Sequence, residues 1–321
     1  MDAKDKKLIY LLDLNSRMKD SELAKQIITS KQVVDYRIKR LEKDGIIKRF
    51  QTVPNLESLG IQIYANVYFK LLKTNKTKED KIINFLIKNN NVGYVALLGG
   101  RFDLSIVLVA KSLTEFEEKL NEIVCKFPRE LRDYIVSLRI IGLKFNKKYL
   151  FQGEYKETKK VLSNEKLKPK FDELDKKILN LLAQNSRDSL ISISEKLKEP
   201  FSTIRTRVRL LEEKKIIAGY TTLIDLNKIG INNYKLFIKV NDKSEDTYKK
   251  LLAFASSNPN IIWFFKTLGD HDYELRIEAE NQEEYQRIVK EIRSEFSSSM
   301  ETLETIIVFK ELKEDYSVVF K

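Results

Sequence analysis

The chain has 321 residues, of which 42% are hydrophobic and 33% charged, and its formal net charge is +12. It has the apolar content of an ordinary globular protein, and its single cysteine excludes a disulfide framework and any cysteine-based metal cluster. No run approaches the roughly 18 apolar residues of a membrane span, and the N-terminal MDAKDKK lacks the shape of a signal peptide, so we expect a cytoplasmic protein with no membrane partner.

Three short helices with a tight turn before the third are predicted at the start of the chain. The first runs from about residue 5 to residue 14, and the second begins near Asp20 or Ser21, either of which can cap it. A turn at Thr29 and Ser30 leads into the third helix. This order is typical of a helix-turn-helix domain.

The third helix is basic and has one apolar side. Val34, Ile38 and Leu41 repeat at the spacing of one buried helical face. Ser30 can cap its start, and Gly45 can end it in a left-handed turn. Because a strand pattern follows, the segment has the form of a recognition helix and its wing.

Strands and helices then alternate in the order βαββαβ. The predicted segments are 61–72, 77–89, 92–98, 102–110, 113–126 and 133–145. This order is that of a ferredoxin-like sheet with both helices on one face. The other face of such a sheet needs a partner in a folded protein.

The whole pattern returns with the numbering shifted by 170. Asn15-Ser16-Arg17 recurs as Asn185-Ser186-Arg187, and Arg37 recurs as Arg207. A period this long is too large for a solenoid unit, so it indicates a duplicated two-part module. We expect the two sheets to pack face to face, so that one chain forms an internal pseudo-dimer.

The predicted fold is therefore α+β, with two winged helix-turn-helix domains alternating with two ferredoxin-like domains. The predicted parts are winged helix-turn-helix domains at 1–53 and 171–223, ferredoxin-like domains at 61–148 and 231–318, and a basic linker at 149–170. The linker is lysine-rich, and a helical portion around residues 158–165 is left open.

The charge is unevenly distributed. Residues 143–170 carry 9 basic and 3 acidic side chains, whereas residues 231–321 carry 13 basic and 17 acidic ones. Both predicted winged helix-turn-helix domains carry more basic than acidic side chains. This distribution favours a polyanion partner contacted by part of the molecule.

These patterns resemble the Lrp/AsnC family of bacterial and archaeal transcription regulators, as a tandem fusion of two family units. The resemblance rests on LAKQI before the turn, on S-x-x-x-V-x-x-R-I-K-R-L-E-x-x-G-I-I through the third helix, and on the G-x-x-D turn of each βαββαβ module. It implies DNA-binding heads, pairing through the sheets, and a small effector such as an amino acid near the G-x-x-D turns. We also expect a homo-oligomer of pseudo-dimers.

The candidate site residues follow from the helix faces and from those turns. The candidates for contact with double-stranded DNA are Ser30, Lys31, Gln32, Asp35, Tyr36, Lys39, Arg40, Ser202, Thr203, Arg205, Thr206 and Arg209. The candidates for effector binding are Gly100, Arg101, Asp103, Gly269, His271 and Asp272.

The second copy departs from the family pattern at three places. The glycine usual between helices two and three is Ile28 in the first copy and Lys198 in the second. Pro200-Phe201 replaces the capping serine, so we expect the second recognition helix to start later, with Ser202 as its cap. Gly45 becomes Lys215.

Structural roles compete with several of these assignments. Arg37 and Arg207 adjoin the buried face, and an ion pair with Glu42 or Glu212 is an alternative to a DNA contact. The two aspartates of the G-x-x-D turns can hold the turns together instead of binding a ligand. The only histidine, His271, lies in the second of these turns, and an exposed, inert side chain is expected as the alternative to a ligand or pH role.

An enzyme is the rival class. Decarboxylases that act on sirohaem resemble the same family in fold and rely on histidine-bearing motifs, whereas this chain has a single histidine. The sequence also shows no phosphate-binding glycine loop, nucleophile elbow or metal-ligand spacing. We therefore predict no enzyme, no catalytic residue, no metal and no cofactor; a sensor or scaffold that has lost DNA binding is a third alternative.

Overall fold

The computed structural model describes residues 1–151, 160–161 and 171–320, and these residues form two compact units. Each unit takes material from both copies of the repeat. Unit 1 comprises Met1–Leu59 and Lys144–Ile231 with the end of the chain, and unit 2 comprises Gly60–Leu143 and Asn232–Val319. No helix in this described part of the chain is long and apolar enough to cross a membrane.

The helices and strands alternate as the sequence predicts, with short 3-10 turns between some of them. In chain order they are α1 (Ala3–Leu14), α2 (Asp20–Gln26), α3 (Lys31–Lys43), β1 (Ile47–Pro54), β2 (Ile63–Lys70), α4 (Lys76–Lys88), β3 (Val92–Gly99), β4 (Leu104–Ala110), α5 (Leu113–Lys126), β5 (Asp133–Lys144), β6 (Lys160–Val161), α6 (Glu173–Gln184), α7 (Leu190–Leu197), α8 (Phe201–Glu213), β7 (Ile217–Ile224), β8 (Asn232–Val240), α9 (Glu245–Ser257), β9 (Ile261–Leu268), β10 (Tyr273–Ala279), α10 (Gln282–Glu295) and β11 (Met300–Glu314).

Unit 1 contains two three-helix heads, the first formed by α1–α3 and the second by α6–α8, and their wing strands β1 and β7 join them. β1 and β7 pair antiparallel, with Phe50 opposite Thr222. Hydroxyl groups fix this ribbon to both heads: Thr52 Oγ1 donates to Leu182 O at 2.9 Å, and Thr222 Oγ1 donates to Leu12 O at 3.0 Å. The wing of each head therefore also supports the first helix of the other head.

Unit 2 is a closed ring of strands. All of its residues are described, and eight strands follow one another in the order β2-β4-β3-β11-β8-β10-β9-β5, with β5 pairing back to β2. Each copy contributes four of them. A β-sheet whose last strand pairs with its first strand has no unpaired edge strand.

The inner faces of the two half-sheets meet inside this ring. Tyr68, Phe102, Phe237 and Ile306 form an apolar cluster there, and the rings of Tyr68 and Phe237 lie 4.9 Å apart between centroids. The α+β fold and the internal pseudo-dimer are confirmed. The pairing of strand edges between the two copies, which closes the ring, was not predicted. This pairing is made by backbone groups that nearly all residue types carry, so the sequence shows no pattern for it.

The connection between the copies is partly packed. Lys144 onward groups with unit 1, where Lys144 Nζ donates to Asp13 Oδ1 at 2.6 Å and Leu150 is buried. Of the predicted linker beyond Phe151, only Lys160–Val161 is described, and these two residues form β6. The rest, including the helical portion left open around residues 158–165, lies outside the described residues.

The two recognition helices begin differently. Ser30 caps α3 by accepting from Val33 N at 3.3 Å, as predicted. The prediction that Ser202 caps the second helix is wrong: α8 begins at Phe201 with Pro200 as its N-cap and no side-chain bond. Because Ser202 lies inside the first turn, its hydroxyl is past the position from which a cap accepts.

The turns keep their left-handed conformation where glycine is missing. Gly45 has φ +66°, and Lys215 takes φ 54° at the equivalent place. Ile28 and Lys198, between the second and third helices of each head, have φ 53° and 56°. The left-handed conformation costs a residue with a Cβ roughly 1–2 kcal/mol, so the turns at Ile28, Lys198 and Lys215 are strained.

Replacing Lys198 with glycine is therefore expected to stabilise the protein. Relief of the left-handed strain outweighs the greater freedom of glycine in the unfolded chain, and we expect a gain of about 0.5–1 kcal/mol in the free energy of unfolding, read by urea denaturation. Glu195→Gly, inside helix α7, of which Lys198 is the C-cap, is the matched control and should lose about 1 kcal/mol. An equal loss of unfolding free energy in both variants would contradict the claim that Lys198 is strained.

Candidate functional site

The exposed face of α3 carries most of the residues proposed for the first head. Lys31, Gln32, Tyr36 and Lys39 are exposed, and the Tyr36 side chain is 64% accessible. Asp35 is half-buried, and its Oδ2 accepts from Lys39 Nζ at 2.8 Å. This face therefore presents amide, phenol and ammonium groups together with one carboxylate.

Two arginines of α3 are anchored to the first helix. Arg37 Nη1 donates to Asp5 Oδ1 at 2.6 Å and to both oxygens of Asp2, and Arg40 Nη2 donates to Asp5 Oδ2 at 2.6 Å. The pairing of Arg37 is structural, but its partners are Asp2 and Asp5, not Glu42. Arg40, proposed as a DNA contact, is committed here to a buried carboxylate.

The exposed face of α8 is more strongly basic. Ser202, Arg205, Thr206 and Arg209 are exposed, and Thr203 is half-buried. Arg209 lies 3.6 Å from Glu213, one turn on, in an exposed pair. Arg207 repeats the structural role of its equivalent, with Nη1 2.7 Å from Asp172 and 3.2 Å from Asp175.

A cleft between the two heads was not anticipated as part of a site. It has a volume of about 340 Å³ and is lined by residues around Arg17, Lys19, Lys31 and Arg187. The two arginines cross over: Arg17 donates to Ser186 O, and Arg187 Nη1 donates to Ser16 O at 2.7 Å. The sequence showed these residues only as part of the repeated Asn-Ser-Arg triplet.

The carboxylates of the G-x-x-D turns tie each turn to a neighbouring strand end. Asp103 Oδ2 accepts from Leu71 N at 2.8 Å, and Asp272 Oδ2 accepts from Val240 N at 3.0 Å. Asp272 Oδ1 also lies 2.7 Å from Lys243 Nζ. These contacts match the structural alternative for both aspartates.

The rest of these turns join the two copies inside unit 2. Arg101 donates two bonds to Asp270, at 2.7 and 3.0 Å, so that the two turns are held to each other. Gly100 and Gly269 both have positive φ, and a Cβ on Gly269 would lie 2.5 Å from Val136 O. The close approach at Gly269 admits only glycine without a backbone shift.

The expectation that His271 is exposed is wrong. The residue is 3% accessible, and its ring stacks on Phe237 with centroids 3.9 Å apart. Nε2 lies 3.3 Å from Ser137 Oγ, and burial lowers the pKa of His271 to about 4. The second turn carries His271 inward in the same way as the first turn carries Phe102, the equivalent residue, into the core of unit 2.

A buried charge cluster lies beside this histidine. Glu274 Oε1 accepts from Lys235 Nζ at 3.1 Å and from Arg139 Nη2 at 3.3 Å, and Oε2 accepts from Tyr68 OH at 2.7 Å. With its amide oxygen turned toward the cations, Asn66 accepts from Lys235 Nζ at 2.9 Å and from Arg139 Nη2 at 3.0 Å. Five polar side chains are thus bonded to one another inside the ring.

Burial and pairing oppose each other in this cluster. Burial by itself would raise the pKa of Glu274, but the charges of Lys235 and Arg139 hold it well below its usual range. Burial lowers the pKa of Lys235 to about 8, against the raising effect of Glu274. The carboxylate is therefore the anion on which both buried cations depend.

Known proteins match both parts of this architecture. The family model described as winged helix-turn-helix DNA-binding matches residues 1–48 and again residues 171–218, and the Lrp/AsnC ligand binding domain matches residues 236–318. The glutamate uptake regulatory protein of Zymomonas mobilis is 32% identical over 126 residues, which are 39% of this chain and 77% of that protein. The HTH-type transcriptional regulator FL11 of Pyrococcus horikoshii is 31% identical over 47% of this chain and 97% of its own.

A solved structure matches the two-copy arrangement as a whole. The siroheme decarboxylase NirDL, in complex with an iron-uroporphyrin III analogue, superposes with a TM-score of 0.64 over 100% of this chain and 95% of its own, at 15% identity. The prediction that the chain is not an enzyme is wrong on this finding. It rested on the histidine count, whereas the tandem fold found here is one that carries a decarboxylase.

The curated regulators show the family to which the chain belongs. Each curated regulator corresponds to about one copy of the repeat in this chain, and the helix-turn-helix model matches twice at a spacing of 170 residues. The chain belongs to the Lrp/AsnC family, as a tandem fusion of two family units.

Proposed function

We propose that the protein is a sequence-specific DNA-binding regulator of transcription, with α3 and α8 as its reading helices. The observation that carries this proposal is that both helices leave a polar, partly basic face exposed while their apolar sides are buried. Lys31 and Lys39 of α3 and Arg205 and Arg209 of α8 are exposed.

Exposed cations on a helix face suit the DNA phosphates, and planar or amide side chains suit base edges. The cleft between the heads adds Lys19 to this surface. The structural arginines Arg37, Arg40 and Arg207 are excluded from our assignment, because their guanidinium groups are held by aspartates of the first helix of each head.

Duplex binding with a steep salt dependence is the expected result. Each phosphate contact contributes a slope of about −0.9 in log K against log salt, so the double variant Lys31→Ala/Arg209→Ala should bind more weakly and with a shallower slope. Lys249→Ala/Lys250→Ala, which removes two exposed charges from α9, is the matched control and should bind as the parent does. Fluorescence anisotropy on genomic fragments measures both. An affinity for the duplex that stays the same between roughly 50 and 200 mM salt would contradict the proposal.

Decarboxylation of a tetrapyrrole is the second candidate function. It is favoured by the likeness of the whole chain to a decarboxylase holding an iron-uroporphyrin III analogue. Titration of the purified protein with an iron tetrapyrrole, followed by absorbance and by release of carbon dioxide, tests it. A saturable spectral shift with product formation supports this function, and a spectrum equal to that of the free tetrapyrrole excludes it.

A small effector such as an amino acid is proposed for unit 2, where the ligand-binding family model matches. Repeating the DNA titrations with the twenty amino acids would detect it as a shift in affinity. We also propose that the chains assemble further. Because the ring of strands closes within one chain, such a homo-oligomer would use the outer surfaces of the units instead of strand edges.

A further inference from the structure

We propose that unit 1 reads an asymmetric DNA site, made of two unlike half-sites at one fixed spacing. This inference rests on the proposed DNA-binding function and adds the form of the operator. In a symmetric dimer two identical heads favour a palindrome, because the symmetry of the protein is mirrored in its site. Here the two heads belong to one chain and differ where they would face the groove.

The heads are held at one mutual position. β1 and β7 form an antiparallel ribbon between them, and Ser16 Oγ and Ser186 Oγ lie 2.6 Å apart where the heads meet. Arg187 donates to Ser16 O and Met18 O at 2.7 and 3.2 Å, and its other amino group lies 2.5 Å from Asp20. A junction with this many reciprocal bonds fixes the distance between α3 and α8.

The two reading faces differ at every central position. The equivalent pairs are Gln32 and Ser202, Asp35 and Arg205, Tyr36 and Thr206, and Lys39 and Arg209. The second pair reverses the charge: a carboxylate in the first head stands where the second head has a guanidinium. Asp35 is bonded to Lys39, so one cation of α3 is partly neutralised on its own helix.

These differences imply different bases. A carboxylate accepts from the amino group of cytosine and repels a phosphate, and a glutamine such as Gln32 can bond adenine through two atoms. Arg205 is exposed and can donate two bonds to the O6 and N7 acceptors of guanine. We therefore assign a guanine-containing half-site to α8 and a half-site of adenine or cytosine to α3.

Selection from randomised duplexes of one site length tests this assignment with the full chain. The expected result is two unlike half-sites whose centres lie about 10 bp, or a multiple of it, apart. Arg205→Ala should lower affinity about 5- to 150-fold and relax preference in the guanine half-site alone. Recovery of a palindrome would overturn the asymmetry and leave DNA binding intact. No retained duplex at low salt would overturn the proposed function itself.

A change of symmetry is the sharper test. The variant Gln32→Ser/Asp35→Arg/Tyr36→Thr/Lys39→Arg copies the α8 face onto α3, and three of the four replaced side chains are exposed. Its selected site should become a palindrome of the guanine half-site at the spacing of the parent. An unchanged asymmetric site in a variant that melts like the parent would overturn the assignment of bases to these side chains.

Discussion

Glu274→Gln is expected to lower the free energy of unfolding by about 3–5 kcal/mol, the usual cost of breaking a buried ion pair on one side. Glu274 is 1% accessible and is the carboxylate bonded to both Lys235 and Arg139. Lys235, whose pKa is already about 8, can shed its proton when the anion is lost, but Arg139 cannot. The remaining cost is a guanidinium buried without its counter-charge, read by urea denaturation at pH 7.

Two further variants separate charge from packing. Glu301→Gln removes an exposed partner of Lys239 at 3.2 Å and should cost less than about 1 kcal/mol. Adding Arg139→Met to Glu274→Gln removes the uncompensated cation and should recover part of the loss. Conversely, a change of under about 1 kcal/mol in the single variant would show that the cluster holds no buried charge that needs Glu274.

Lowering the pH from 7 to 5 is expected to cost about 2 kcal/mol of stability through His271 alone. Burial lowers its pKa to about 4, against the opposing effects of Glu274 and Asp270, whereas an unfolded histidine titrates near 6.5. As the pH falls through this window, the unfolded chain takes up a proton that the folded chain does not. Stability is therefore fully present above pH 6.5 and is lost toward pH 4.

His271→Phe isolates this contribution, because phenylalanine is the residue at the equivalent position, Phe102, and keeps the ring on Phe237. Urea denaturation of both proteins at pH 7, 6 and 5 gives the comparison. The variant should lose about 2 kcal/mol less than the parent over this range. Parallel pH profiles would mean that the imidazole is already protonated in the folded protein or reaches water.

The order of the elements could be predicted because it depends on local spacing. The buried stripe of α3 and the serine cap at its start follow from residues a few positions apart. The partners of Arg37 and Arg40 could not be read in this way, since Asp5 lies more than thirty residues earlier and only the packing of α1 on α3 brings it near.

The charge cluster shows a second limit. The segment YELRIEA of β10 alternates polar and apolar residues, which in an open sheet predicts that Glu274, Arg276 and Glu278 face water. In the closed ring that face points inward, and Glu278 is 0% accessible. The alternation of a strand shows that it has two faces; which face is wet depends on the partner sheet.

The closed ring of strands also changes how the protein responds to its own abundance. Two separate chains that pair through their sheets come apart on dilution, so the amount of paired species depends on the square of the chain concentration. In unit 2 the pairing halves are carried by one polypeptide, and their effective concentration is set by the connecting chain. Occupancy of a DNA site by a single chain should then rise with the first power of protein concentration, and a cell holding only a few copies would still hold the two sheet halves of each one paired.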